Sequence, residues 1–432
     1  MQRKKCLNYL GGARGARNYL KFTALAAATI ALVKVGNPLD VSLQTSLNGG
    51  AWQTYTTGNT ITLNEGDELR WRATTYNTSF SSGANSYYQY NCTGTMEVGG
   101  NAMSLIDSTC HSRRLGQFAF KRLFYQCNAI TSAPSIDCEI WGDNCCEEMF
   151  RDCANIVDCG NLRISAKNQL LTSCFSSMFR GCTSIVTTPE IVLTDSTLNF
   201  CCGAMFYGCT SITDSRPFSL KNIICIGQAF QSAFRGCSNL RYISDIDIET
   251  RSTSWGDFAD MYRDCGSIEE VNLRLSAGSG SVLGASEMFD ACTGIQRADI
   301  SIYAQTASSI DISYLFRGCT NMVCQHVLIR TPQTNVNCAE AFKNCKKIGA
   351  ISILGFTGQT WSNYGFLNFC AGCSLLSRVE VAFTAWPTGT ETAPILNWMN
   401  GVAAIGDFVC PANLPIEYGN SRIPTGWNVI TT

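Results

Sequence analysis

The chain has 432 residues, more than one ordinary globular core accommodates, so several domains or a repeat array are expected. Only 15% of residues are charged and the net charge is −1, which provides no electrostatic footprint for nucleic acid. Two histidines, His111 and His326, exclude a histidine-rich metal centre and argue against a Ser-His-Asp triad, and the 25 cysteines form an odd total that leaves at least one thiol free or paired between chains.

Residues 1–20 form a basic, glycine-containing arm with Arg3, Lys4, Lys5, Arg14 and Arg17 and no acid. Phe22 to Val33 follows as an apolar run, too short to cross a bilayer as a helix. It reads either as the first strand of a β-domain or, with the basic segment ahead of it, as the core of a signal peptide. The strand reading is preferred, and it makes the arm a docking tail or a disordered terminus. Cys6 precedes the apolar run, which is the wrong order for a lipoprotein-type cysteine.

Residues 21–108 read as β throughout. Val41, Leu43 and Leu47 alternate ahead of Asn48-Gly49-Gly50, a hairpin signal. Ile61 and Leu63, a turn at Asn64–Asp67, then Leu69, Trp71 and Ala73 continue the pattern. Short strands at this spacing predict a small antiparallel β-sandwich. Tyr87, Tyr88 and Tyr90 lie in a polar loop-strand segment; the domain's aromatics read mostly as core, with contact to a glycan or partner as the alternative for exposed ones.

From residue 109 to 385 a repeat takes over. Ten cysteines, Cys127, Cys153, Cys182, Cys209, Cys237, Cys265, Cys292, Cys319, Cys345 and Cys373, stand 26 to 29 residues apart. Three positions before nine of them is an aromatic: Phe124, Phe150, Phe179, Phe206, Phe234, Tyr262, Phe289, Phe316 and Phe342. The tenth copy has Cys370 there instead. Three positions after each is a large apolar residue, from Ile130 to Leu376. A fixed period of this size marks a solenoid or array. Aromatic at i and cysteine at i+3 predict a short helix with both on one face. Small polar residues then predict a turn, and an alternating apolar run predicts a strand. The alternation falls nine and eleven residues after the cysteine in the first half (Ile191/Leu193, Ile246/Ile248) and six, eight and ten after it in the second (Val271/Leu273/Leu275). That slip predicts a change of turn geometry mid-solenoid. Pro134, Pro189 and Pro217 lie in the first-half turn. Ten strands at about 4.8 Å make a sheet roughly 45 Å long. In residues 386–432 the pattern dissolves among Trp386, Trp398 and Trp427 and several prolines, which reads as a C-terminal cap over the open solenoid end.

The unit Met178-Phe-Arg-Gly-Cys-Thr-Ser-Ile185 resembles the repeat of BspA-type leucine-rich-repeat proteins, which occur on bacterial surfaces and in adhesion. The resemblance covers about residues 118–385. It implies a mixed α/β fold: a small β-sandwich, a ten-repeat leucine-rich-repeat solenoid with one strand and one short helix per repeat, and a cap. Asn18–Leu25 likewise resembles the opening strand of small β-domains that precede such repeats in gut-anaerobe surface proteins and their phages. The motif itself is packing machinery and carries no chemistry.

The ladder cysteines read as buried thiols packing as small apolar groups, because adjacent helical coils some 8–10 Å apart are too distant for disulfides. Cys146, Cys174, Cys201, Cys202 and Cys338 lie seven or eight residues before a ladder cysteine, where pairing is irregular. Cys370-Ala-Gly-Cys373 has no second pair to complete a zinc site. No phosphate-binding loop, H-E-x-x-H or nucleophile elbow is present, and the acid pairs Glu147-Glu148 and Glu269-Glu270 read as solvated. The expectation is a non-enzymatic protein without a cofactor, metal site or membrane span.

Two functions are weighed. The first is a phage virion surface or fibre-type component. Its arm and β-domain attach to other virion or surface proteins, and its solenoid meets a host-surface protein or glycan. The second is a secreted bacterial adhesin at the cell surface, with residues 1–33 as signal peptide. An intracellular scaffold is a weaker third, and self-association as a homo-oligomer is a further option. Outward strand positions are the partner-binding candidates: Asn272, Arg274, Asp299, Ser301, His326, Leu328, Ser352 and Leu354.

Overall fold

In a computed structural model, the described residues are 18–77, 80–221, 223–253, 255–332, 335–358, 361, 365–387 and 393–432. The arm residues Arg3, Lys4, Lys5, Arg14 and Arg17 lie outside them. The described residues open with eight strands: β1 (Leu20–Ala24), β2 (Ala28–Val35), β3 (Leu43–Leu47), β4 (Gln53–Tyr55), β5 (Ile61–Leu63), β6 (Glu68–Ala73), β7 (Tyr87–Thr93) and β8 (Met96–Gly99). They form two antiparallel sheets, β4-β3-β6-β1-β8 and β5-β2-β7. Alternating buried positions bring Phe22 and Trp71 of the first sheet against Tyr90 of the second, at ring separations of 4.9 and 5.3 Å.

The solenoid strands are all parallel. In the first half each coil carries two: β9 (Arg163–Lys167) and β10 (Leu170–Thr172), β11 (Glu190–Thr194) and β12 (Thr197–Asn199), β13 (Phe218–Lys221) and β14 (Ile224–Gly227). Then come β15 (Ile246–Thr250), β16 (Glu270–Ala277), β17 (Val282–Gly284), β18 (Arg297–Tyr303), β19 (Ser309–Asp311), β20 (Val323–Arg330), β21 (Val336–Asn337), β22 (Lys347–Leu354) and β23 (Arg378–Val381). The last two strands are β24 (Asp407–Cys410) and β25 (Asn428–Thr431). An eleven-stranded sheet runs β10-β12-β14-β15-β16-β18-β20-β22-β23-β24-β25, and β13-β11-β9 and β17-β19-β21 form two smaller ones. The mid-solenoid slip is visible in the register. Ile246 and Ile248, nine and eleven past their cysteine, pair with Leu273 and Leu275, eight and ten past theirs. Residues 386–432 carry the sheet onward through β24 and β25.

The expected mixed α/β character is corrected: the described residues contain no α-helix and only two short 3-10 turns, Ala102–Leu105 and Ala393–Ile395. Where a helix is expected before each cysteine, the backbone is a ribbon of consecutive turns. Asn144, Glu148 and Asp152, each four residues apart, have φ of 56°, 55° and 60°, and Ser173, Ser177 and Gly181 repeat this one coil later at 51°, 53° and 75°. Alternate N–H groups close turns onto the carbonyl three residues back, as Met149 does to Cys146 and Cys153 to Phe150. The others cross to the next coil: Cys146 to Cys174, Glu148 to Ser176, Phe150 to Met178 and Asp152 to Arg180, at 2.7–3.0 Å. Both sets are thus satisfied although nothing is helical. A four-residue turn period places aromatic and cysteine on one face just as a helix does, so apolar spacing alone does not separate the two. Left-handed backbone costs an L-residue about 1–2 kcal/mol. The position before the cysteine is accordingly rich in Gly, Asp and Asn: Gly181, Gly208, Gly236, Gly318, Gly372, Asp152, Asp264 and Asn344.

Inside, the aromatics stack in one column. Phe150–Phe179, Phe179–Phe206, Phe234–Tyr262 and Phe289–Phe316 lie 4.9–5.4 Å apart and within 8° of parallel. The apolar residues three past each cysteine are all buried. Every cysteine among the described residues is a free thiol. The ladder cysteines do more than fill space. Each sulfur from Cys153 to Cys373 donates to the carbonyl of the aromatic one coil earlier, at 2.8–3.3 Å. The off-ladder thiols Cys146, Cys145, Cys174, Cys201 and Cys202 touch in sequence down the buried core.

The N-terminal sheets close the solenoid's first end. Ribbon N–H groups point to the following coil, so the first coil presents bare carbonyls. Tyr90 N–H donates to Leu123, the Gln89 side chain to Tyr125, and Met96 N–H to Ala129. Tyr90 stacks on Phe124 at 5.3 Å and 20°, extending the aromatic column into the sheets.

Candidate functional site

The eleven-stranded sheet turns one face inward and the other to solvent. Strand β16 shows why: Val271, Leu273 and Leu275 are buried while Asn272 and Arg274 are exposed, the period-two alternation of a half-buried strand. Parallel in-register pairing stacks the outward positions of successive coils into rows. One row runs Asp247, Arg274, Ser301, Leu328, Ser352, Glu380, Val409, Ile430. A second pairs Asn272 with Asp299 and, after an irregularity between Arg297 and Ile300, continues His326, Ala350, Arg378, Asp407, Asn428. A third runs Glu249, Ser276, Tyr303, Arg330, Leu354.

All eight sequence-predicted residues therefore share this face. Asn272, Arg274, Asp299 and His326 are exposed, and Ser301, Leu328 and Leu354 are half-buried. Ser352 is only 4% exposed, because His326 Nε2 (2.9 Å) and Glu380 Oε2 (2.8 Å) close over its hydroxyl. Asn272 donates to Asp245 at 2.8 Å. A buried thiol lies beneath the face: burial pushes Cys324, two residues before His326, up to about 11. Sequence reasoning missed Glu380, Asp245, Tyr303, Arg378 and Asp407. The signal for the first was present, since Glu380 lies between buried Val379 and Val381.

No protein-family model matches the chain, and no curated protein is significantly similar to it.

One groove adjoins the face and a second lies apart from it. The seam where the register slips opens a groove of ≈ 320 Å³ lined by Arg216, Arg241, Tyr242, Asp245, Glu270 and Arg297. Its ions are already paired: Glu269 holds Arg241 and Glu270 holds Arg297, raising both arginines further into their charged form. A larger one of ≈ 800 Å³ lies where β1 and β8 meet the first coils, lined by Lys21, Glu97, Asp137, Asp158 and Arg163 among others. Elsewhere Glu147 pairs with Lys121, and Glu148 with Arg122 and Arg151, so the acid pairs are engaged in ion pairs rather than freely solvated.

The His326–Ser352–Glu380 chain has the residue types of a hydrolytic triad in the wrong order. Activation of a serine needs the imidazole between carboxylate and hydroxyl. Here the hydroxyl lies between them and donates its hydrogen bond to Glu380. Among the described residues no group of three or more His, Cys, Asp or Glu side chains is placed to hold a metal ion. No helix of the described chain is long and apolar enough to cross a membrane.

Proposed function

We propose that the chain is a non-enzymatic binding and structural protein whose solenoid presents the outward face of its long parallel sheet to a partner. The observation that carries this is the alignment of Asn272 with Asp299 and of Arg274 with Ser301, with His326 on the same face of the coil-stacked sheet. Rows of Asn, Asp, Ser, Arg and His on a parallel sheet suit hydrogen bonding to a polar partner, a host-surface protein or glycan. The BspA-like repeat motif supports a surface role, and within it we favour a phage virion surface or fibre-type component. In that setting the arm and N-terminal sheets attach to the particle and the solenoid faces outward.

The alternative is a secreted adhesin at the bacterial cell surface with residues 1–33 as signal. Burial weighs against a cut there. Phe22, Ile30 and Leu32 are fully buried, and β1 lies inside its sheet between β6 and β8. Cleavage near residue 30 would remove β1 and break β2. N-terminal sequencing of the mature protein separates the readings: a start at residue 1 or 2 sinks the secreted one, and a start near 30 sinks the virion one. The face itself is tested by Arg274→Glu with Asp299→Lys. Both side chains are exposed, so folding should be unchanged while adsorption of the purified protein to intact host cells or mucin falls. Unchanged adsorption would count against this face.

A further inference from the structure

The cysteine column has one rung more than the repeat. Cys92, in β7, stands two residues after Tyr90, where the ladder cysteines stand three after their aromatics, and Tyr90 stacks on Phe124 at the head of the aromatic column. It differs from the other rungs in two ways. Cys153 and those after it are sealed and donate to aromatic carbonyls. Cys127 instead meets the Cys92 thiol directly. And both line a cleft of ≈ 350 Å³, walled by Gln89, Asn91, Tyr125 and Gln126, that opens between the β5-β2-β7 sheet and the first ribbon; Cys92 is half-buried there and Cys127 is 4% exposed.

We propose that Cys92 and Cys127 form an oxidisable dithiol whose disulfide staples the N-terminal sheets to the first coil of the solenoid. The oxidant class is a hydroperoxide, small enough for the cleft. The Cys127 thiolate attacks one peroxide oxygen, the O–O bond breaks, and hydroxide leaves to be protonated, giving a sulfenic acid. The Cys92 sulfur then attacks the sulfenic sulfur and water departs. Overall the dithiol loses two electrons and two protons, and hydrogen peroxide becomes two waters. Cys127 is suited to the first step. The Cys92 thiol, followed by the backbone N–H groups of Ala129 and Ile130, holds it below the usual cysteine range despite burial, as a reactive thiolate requires. Most other ladder thiols are driven the opposite way by burial, Cys237 and Cys373 up to about 12.

The test treats the full chain with hydrogen peroxide under native conditions and maps cysteine-containing peptides without reduction. A Cys92–Cys127 cross-link is expected, with loss of two titratable thiols per chain, a raised thermal midpoint and reversal of both by dithiothreitol. In Cys92→Ser the second step is blocked, so dimedone should label Cys127. Half-buried Cys110 is the internal control for unselective oxidation. Oxidation confined to Cys110 or Cys6, with Cys92 and Cys127 recovered as free thiols, overturns the proposal. So does dimedone labelling of Cys92→Ser spread evenly over other cysteines.

Discussion

Replacing Cys265 by alanine or by serine distinguishes two accounts of the repeat's cysteine. Its sulfur is fully buried and donates to the Phe234 carbonyl at 3.0 Å. That carbonyl also accepts the Cys237 N–H at 3.1 Å, so losing the thiol does not orphan it. Alanine removes one methylene-sized apolar group, about 0.8 kcal/mol. It leaves roughly 20 Å³ unfilled, about 0.5 kcal/mol. It also loses one weak hydrogen bond, about 0.5 kcal/mol. The sum is about 2 kcal/mol. Serine loses the apolar term but places a stronger donor against the same carbonyl, so about 1 kcal/mol or less is expected. If the cysteine were only a small apolar filler, the order would reverse, because a buried hydroxyl without a partner costs more than a missing sulfur. Urea unfolding followed by far-ultraviolet circular dichroism reads the order. Hydrogen exchange at the amides of the Phe234 and Tyr262 coils guards against piecemeal unfolding of the array. Greater destabilisation by serine than by alanine refutes the inter-coil hydrogen-bond account.

Phe289→Ala removes a fully buried ring stacked at 5.2 Å on Tyr262 and 4.9 Å on Phe316, and should lower stability by about 3–5 kcal/mol in the same assay. Gly236→Ala tests the ribbon by its sign. A helix would gain about 1 kcal/mol, whereas φ of 74° predicts a loss of about 1–2 kcal/mol. Asp257 is fully buried, one of its oxygens has no partner, and burial raises its pKa despite bonds from Thr250 and Ser252. The folded state therefore binds this proton more tightly than the unfolded chain. Its contribution is fully present below the unfolded value and is lost as pH rises from about 4 through the folded pKa. Asp257→Asn should flatten the thermal midpoint against pH above that point and raise it at pH 7; an unchanged profile would show that Asp257 is not the group responsible.

Much of the architecture follows from covalent pattern alone. The 26-to-29-residue cysteine step fixes a coil stack, since no unit can bury its apolar face by itself. The alternation of Val271, Leu273 and Leu275 fixes which side of the sheet faces the core, and thereby places Asn272, Arg274, Asp299 and His326 outside. Even the register slip at Ile246/Leu273 was readable, because side chains alternate with a period of two and a one-residue shift is visible.

The segment before each cysteine was not readable from apolar spacing, because helix and turn ribbon both return to one face every three or four residues. What separates them is where the N–H groups go, and that depends on a neighbouring coil 27 or so residues away. Gly181, Asp152 and Asn344 at the left-handed position were the local sign, legible once the crossing bonds require it. Tertiary structure also decided that the N-terminal sheets close the solenoid. Tyr90 and Cys92 become the column's first rung only when β7 lies against the first coil, a contact that no sequence period encodes. The outward rows combine both sources: alternation points each side chain to solvent, and parallel stacking alone sets Arg274 beside Ser301 and His326 over Ser352.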